Sequence, residues 1–252
     1  MRPQENATFR NTVILIVGLF LVWELAYLVV GDVALRSPWQ TVKFLGKLMR
    51  TDLFWLHLAD SLKAFAVALA IAVVLGLLIG FALGLHRLSG EAMEPMLVAL
   101  YSIPKITLYP IILLAFGIGI SAKIAFGAIH GIIPVALFTL NGLDRVPPVL
   151  KKTARVNGLN ALQTARHVTL PFCAPYLLTA AKLALAYAFI GVIGSEFIMA
   201  RSGMGYEISY AYTNFDNATM YPLILLILLL SIAANSLLSR WERILLARRG
   251  QA

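Results

Sequence analysis

Charge is scarce in this chain. Of its 252 residues only 13% are Asp, Glu, Lys or Arg, while 60% are hydrophobic. A soluble domain carries about 25% charged and roughly 45–50% apolar residues. No polar stretch is long enough to fold as an aqueous domain, so a single transmembrane domain over residues 1–252 is expected. Cysteine is nearly absent as well. The lone Cys173 excludes an intrachain disulfide and argues against a thiolate metal site, and its position beside Pro171 suits a small packing residue.

Catalytic signatures are also missing. No G-x-x-x-x-G-K-[ST] loop occurs, and Gly46-Lys47-Leu48 lacks the hydroxyl that would hold magnesium. His57, His86, His130 and His167 never fall at the i, i+4 spacing of a helical zinc site, and there is no G-x-S-x-G turn. A membrane-embedded enzyme therefore has little to work with, and no metal or cofactor on this chain is expected. The net charge of +9 does not point to nucleic acid, because the cations lie between apolar runs rather than among exposed aromatics. They read as topology signals.

What is present is a series of apolar runs. Residues from about 12 to 30 form a first span, retained rather than cleaved, since the run is long for a signal peptide and contains Trp23 and Glu24. Ser37-Pro38 starts an amphipathic helix expected to lie at the interface. Further spans are expected at about 57–86, 95–116, 122–140, 171–198 and 220–238. Gly76, Gly80 and Gly84 share one face of the second span, where another helix can approach closely. Pro104 and Pro110 break the third, and broken helices persist at membrane depth only where protein or a cavity satisfies the freed backbone. That span is a candidate pathway lining. Ala180, Ala184, Ala188, Gly191 and Ser195 make a second small-residue stripe on the fifth. Tyr206, Tyr210 and Tyr212 suit an interfacial belt before the sixth span.

Six spans put both termini on one side. With the termini inside, twelve Lys and Arg fall in inner segments and six in outer ones, which places the termini and the 141–166 connection in the cytoplasm. The first outer segment, with Arg36, Lys43, Lys47 and Arg50, is more basic than the rule favours. Ionisable residues in apolar spans are functional candidates by default. Lys63 and Lys182 are near enough to span ends to snorkel, which leaves Lys182 open between an interfacial and a pathway role. Lys105, after Pro104, and Glu196 are pathway or gate candidates.

The 141–166 connection interrupts the hydrocarbon. Val149 to Val156 is helix-compatible, Asn157-Gly158 offers a left-handed residue to end that helix, and Asn160 can cap the next. Two short helices joined by a tight turn would project as an elbow, with Pro171 opening the fifth span. From the residues alone, a force-transmitting elbow and a solvated loop that only sets topology remain equally open.

The segment resembles a family pattern. Lys152-Thr153-Ala154, three residues, Gly158, nine residues and Val168-Thr169-Leu170-Pro171 are similar to the E-A-A, three, G, nine, I-x-L-P loop of permease subunits in prokaryotic ATP-binding-cassette importers. Ser37-Pro38, Ile103-Pro104, Phe116-Gly117-Ile118-Gly119 and Ser195-Glu196-Phe197 extend the resemblance over about residues 10–247, toward the nitrate, sulfonate, taurine and bicarbonate branch. It implies an all-α type I importer core of six transmembrane helices with a cytoplasmic coupling elbow. Two separate ATPase subunits, which bind ATP and magnesium, would dock around Lys152, Thr153, Ala154, Asn157, Gly158, Leu159, Ala161 and Leu162, with Leu170 and Pro171 closing the motif. A second permease, expected to be an identical copy, would complete the pathway, and an extracytoplasmic binding protein would deliver a small solute, often an anion. Relatives also carry vitamin precursors and aromatic acids. Lys152-Thr153 stands where the family has Glu-Ala, so the docking role is carried over but not the acidic contact. The rival reading is a self-sufficient channel or ion-coupled carrier that uses Lys105 and Glu196.

Overall fold

The computed structural model describes residues 3–247; Arg2, Arg248 and Arg249, which enter the topology count, lie outside them. The helices are α1 (Pro3–Val30), α2 (Pro38–Leu48), α3 (Asp52–Gly84), α4 (Arg87–Ser102), α5 (Tyr109–Phe116), α6 (Ile120–Asp144), α7 (Pro148–Val156), α8 (Ala161–Thr164), α9 (Leu170–Ile198), α10 (Met204–Thr213) and α11 (Asn217–Ala247). Among the described residues, five stretches are long and apolar enough to cross a membrane, and a sixth is formed if Leu88–Ser102 and Lys105–Phe116, bent by 85°, count as one span.

The core is a three-helix stack of α3, α6 and α9, and its cause is the small-residue stripes. Gly76 faces Val135, Gly80 faces Thr139 and Gly84 faces Leu143 across α3 and α6, and a Cβ on Gly76 or Gly80 would lie 2.5 Å from the Cβ opposite. The α9 stripe supplies Ala184 and Ala188 to the same packing, against Gly131 and Gly127 of α6. Ala64, Ala68, Ala72, Ala180, Ala184 and Ala188 are essentially inaccessible. In lipid, where apolar side chains gain little from leaving the solvent, such close backbone approach supplies the attraction.

At α2, Ser37 and Gln40 form a reciprocal capping box, each side chain bonded to the other's backbone N–H at 3.2 Å, with Pro38 at the first helical position. The helix lies along α11. Helix α1 leaves most of its apolar surface exposed; Trp23 Nε1 donates to the Arg36 carbonyl at 2.9 Å.

Several boundaries differ from expectation. The second span begins at Asp52 and ends at Gly84. The third begins at Arg87, with Pro95 held inside the helix; one missing backbone donor does not end a helix whose neighbours pack. The break comes at Pro104, followed by a tighter turn at Lys105–Leu108, whereas Pro110 sits in the first turn of α5, where a proline is tolerated. The fourth span runs unbroken from Ile120 to Asp144 through Pro134. Pro171 stands in the first turn of α9, as expected of a helix opening, but the apolar stretch does not start there. Residues Ala161–Ile198 run as one stretch through a π turn at Ala165–Thr169, in which Leu170 N donates to Ala165 O. This wider turn carries the helix into the proline. The sixth helix extends well past residue 238, to Ala247.

Candidate functional site

Two polar constructions sit at opposite ends of the Ala161–Ile198 stretch, about 50 Å apart at the helical rise. One is the elbow. Its first arm, α7, ends in a left-handed turn: Gly158 has φ +70°, Gly158 N donates to Arg155 O and Leu159 N to Ala154 O, both at 3.0 Å. These two bonds satisfy carbonyls that the helix end would orphan. Asn160 then opens the second arm with a capping box, Gln163 N to Asn160 Oδ1 at 2.8 Å and Asn160 N to Gln163 Oε1 at 2.9 Å. The turn between the arms is therefore fixed on both sides by hydrogen bonds.

Ala154 is buried, while Lys152, Thr153, Asn157, Gly158 and Ala161 are exposed. Val149, Val156 and Leu162 present apolar side chains outward, 63%, 88% and 78% exposed. Thr153 Oγ1 donates back to Val149 O at 3.0 Å and Asn157 Nδ2 to Thr153 O at 2.8 Å, so these hydroxyl and amide groups stiffen the arm. Lys152 pairs with no carboxylate among the described residues. Leu159 is half-buried, and Leu170 and Pro171 are exposed on the stretch that follows.

The other construction is a buried ion-pair clasp. Glu196, near the end of α9, accepts from Ser61 Oγ at 2.9 and 2.7 Å, from Gly205 N at 3.0 Å and from Lys123 Nζ at 3.2 Å. Lys123 also donates to Asp60 Oδ2 at 2.7 Å and to Ser202 O at 2.8 Å, and Ser202 Oγ bonds Asp60. His57 accepts from Gly203 N through Nδ1 at 2.9 Å, and its Nε2 meets Glu207 at 2.9 Å. Lys123 and Glu196 are each 1% exposed. The clasp therefore ties the segment between α9 and α10 to α3 and α6. Gly203, at φ +106°, has no room for a side chain, because a Cβ would fall on the Glu196 carboxylate.

The remaining sequence candidates lie elsewhere. Lys105, directly after Pro104, is buried, donates to Tyr101 O at 3.1 Å, lies 5.3 Å from the Tyr101 ring centre and pairs with no carboxylate among the described residues. Tyr101 and Tyr187 share a 2.5 Å hydroxyl contact beside it. Pro104 itself is exposed. Lys182 forms an ion pair with Glu242 of α11, so its charge is matched within the chain, and Lys63 is exposed. Cys173 is buried, its Sγ 3.1 Å from Gly142 O. Of the four pathway candidates, Pro104 and Lys105 adjoin; Glu196 and Lys182 belong to separate networks.

Lys123, which the topology count treats as an outer-loop cation, belongs instead to the buried clasp with Asp60, Ser61, His57 and Ser202. A signal was present. Lys123, Gly127 and Gly131 stand at spacings of four, so the cation shares the close-packed face of α6; likewise His57, Ser61, Ala64, Ala68, Ala72 and Gly76 continue the α3 stripe upstream. A polar residue on a small-residue face is committed to the interior.

Residues 72–251 match the family described as the inner membrane component of binding-protein-dependent transport systems. The chain is 30% identical to the formylaminopyrimidine transport permease protein ThiX of Halalkalibacterium halodurans, over 92% of each protein. It is 27% identical to the nitrate import permease protein NrtB of Leptolyngbya laminosa, over 91% of this chain and 86% of that protein. With the putative aliphatic sulfonates transport permease protein SsuC of Escherichia coli it shares 30% identity, over 75% and 73%. A chain from an inward-facing structure of the MetNI methionine ABC transporter superposes with a TM-score of 0.64 at 22% identity, covering 82% of this chain and 96% of that one, which supports the fold. The chain belongs to the inner-membrane components of binding-protein-dependent transport systems, the multi-pass permease subunits of ATP-binding-cassette importers.

Proposed function

We propose that this permease works as one of two identical copies, with its termini and elbow in the cytoplasm, and moves a small anionic solute inward. Two separate ATPase subunits, holding ATP and magnesium, dock on the outward face of the elbow, and an extracytoplasmic binding protein delivers the solute at the end of the molecule that carries the clasp. Closure of the ATPases turns the elbows, and because the second arm is continuous with the fifth span, that rotation reaches the helix core directly. Packed small-residue interfaces can slide between two arrangements without opening large voids.

The observation that carries this reading is the elbow: a turn fixed by a left-handed glycine and a capping box, one buried alanine anchoring it, and an exposed face of Val149, Lys152, Thr153, Val156 and Leu162. A loop that only set topology would need none of this. The anionic substrate class is supported by Lys105, a buried cation without a carboxylate partner among the described residues, beside the broken third span. Relatives named for nitrate and for sulfonates agree with it. The carrier reading is weakened because both Glu196 oxygens are engaged by Ser61, with Lys123 and Gly205 also bonded to the carboxylate.

The test is reconstitution of the permease with and without its ATPase subunits and binding protein. Solute accumulation is expected only with all components and hydrolysable ATP.

A further inference from the structure

Lys151 and Arg155 stand one turn apart on α7, on a different flank from Lys152, Thr153 and Val156. They border a cavity of about 440 Å³ between the elbow and the adjoining ends of α3, α6 and α9. Phe81, Leu85, Leu143 and Leu170 contribute its apolar walls. Neither cation pairs with a carboxylate among the described residues. Two unmatched positive charges at the lip of an apolar cleft between helix ends fit an amphiphile with an anionic head and a hydrocarbon body.

We propose that this cavity holds an anionic phospholipid of the inner leaflet, its phosphate between Lys151 and Arg155 and the start of an acyl chain against Phe81, Leu85, Leu143 and Leu170. The inference rests on the cytoplasmic orientation of the elbow proposed above, which puts the two cations at headgroup depth, where basic pockets between helices recognise anionic lipid heads. A free phosphate ion would use the cations and leave the apolar walls without a role; a lipid uses both. Because the walls come from the second, fourth and fifth spans and the cations from the elbow, the lipid bridges the coupling arm to the bundle and stiffens the joint through which the ATPases act.

The experiment is lipid retention by the assembled transporter. Wild type, Lys151→Gln with Arg155→Gln, and Leu85→Trp would be incorporated in mixed phosphatidylglycerol and phosphatidylcholine vesicles, re-extracted, and weighed intact by native mass spectrometry. Leu85 is 77% exposed, so a tryptophan there can fill the cavity mouth while the fold and both cations are kept. Wild type is expected to retain phosphatidylglycerol in preference to phosphatidylcholine. The doubly neutralised variant should retain it about thirtyfold less, each cation contributing roughly fivefold, and Leu85→Trp should retain little. Equal retention by all three proteins, or equal retention of the neutral lipid, would overturn the proposal. So would saturable binding of inorganic phosphate to delipidated protein that added phosphatidylglycerol does not compete away, which would assign the site to a free ion. Lipid mass is read on the permease whether or not ATPase subunits stay bound, so failure of elbow docking registers separately.

Discussion

The Lys123 ammonium lies 3.2 Å from a Glu196 carboxylate oxygen, with both side chains sealed inside the helix core. The pair joins the start of the fourth span to the end of the fifth and, through Ser202 and Gly205, fixes the segment that leads into α10. Removing one partner of such a pair leaves a buried charge unmatched, which costs about 3–5 kcal/mol. Lys123→Met is therefore expected to lower the thermal midpoint of the detergent-solubilised protein sharply, and Lys123→Met with Glu196→Gln to cost less than the sum of the two single changes. Additive single and double effects would mean that the two groups do not act as a pair.

Gly80 sets the distance between α3 and α6. A Cβ there would stand 2.5 Å from Thr139 Cβ and 2.7 Å from Ala136 O, and the backbone oxygen cannot rotate away. Gly80→Val should destabilise the protein by about 1–3 kcal/mol through overpacking, read as a lower thermal midpoint, whereas Gly46→Ala, inside α2 where a Cβ meets nothing within 4 Å, should raise stability by about 0.5–1 kcal/mol.

Phe215 holds φ +56° and is 90% exposed, closing α10 through the Asp216 N to Ala211 O bond at 2.8 Å. A left-handed phenylalanine carries strain of roughly 1–2 kcal/mol that glycine does not. Phe215→Gly should consequently raise stability, the gain reduced by the added freedom of the unfolded chain; a fall in the thermal midpoint would contradict this account of the turn.

Lys152 stands where the resembled loop pattern has an acidic residue, and it is exposed. Lys152→Glu is expected to weaken ATPase association about tenfold, with an effect that shrinks as salt rises. Unchanged association at low salt would show that the position makes no charged contact.

Much of this architecture was legible in residue spacing, and the parts that were not share a cause. Gly158 and Asn160 act locally: one residue must be left-handed, the other must cap, and both requirements are written in side-chain chemistry. The Gly76, Gly80 and Gly84 stripe is similarly plain because a period of four is a property of one helix. Lys123 was misplaced because its partners Asp60 and Glu196 are 63 and 73 residues away, and hydropathy treats a cation three residues into a helix as a loop residue. The continuation of the fifth span upstream of Pro171 was hidden for a related reason. A proline usually marks a helix start, but the π turn before it keeps the stretch continuous, and a turn of that kind leaves no residue signature.

Whether the elbow transmits ATP-driven motion is tested by uptake into vesicles with the Gly158→Val permease. Valine resists φ +70°, so the elbow should lose its angle while the spans still insert. The Gly158→Val permease is expected to reach the membrane in normal amounts, to lose no more than about 1–2 kcal/mol of stability, and to support no ATP-driven solute accumulation. Wild-type accumulation rates in this variant, or accumulation by the unaltered permease without ATPase subunits and ATP, would contradict the elbow's coupling role.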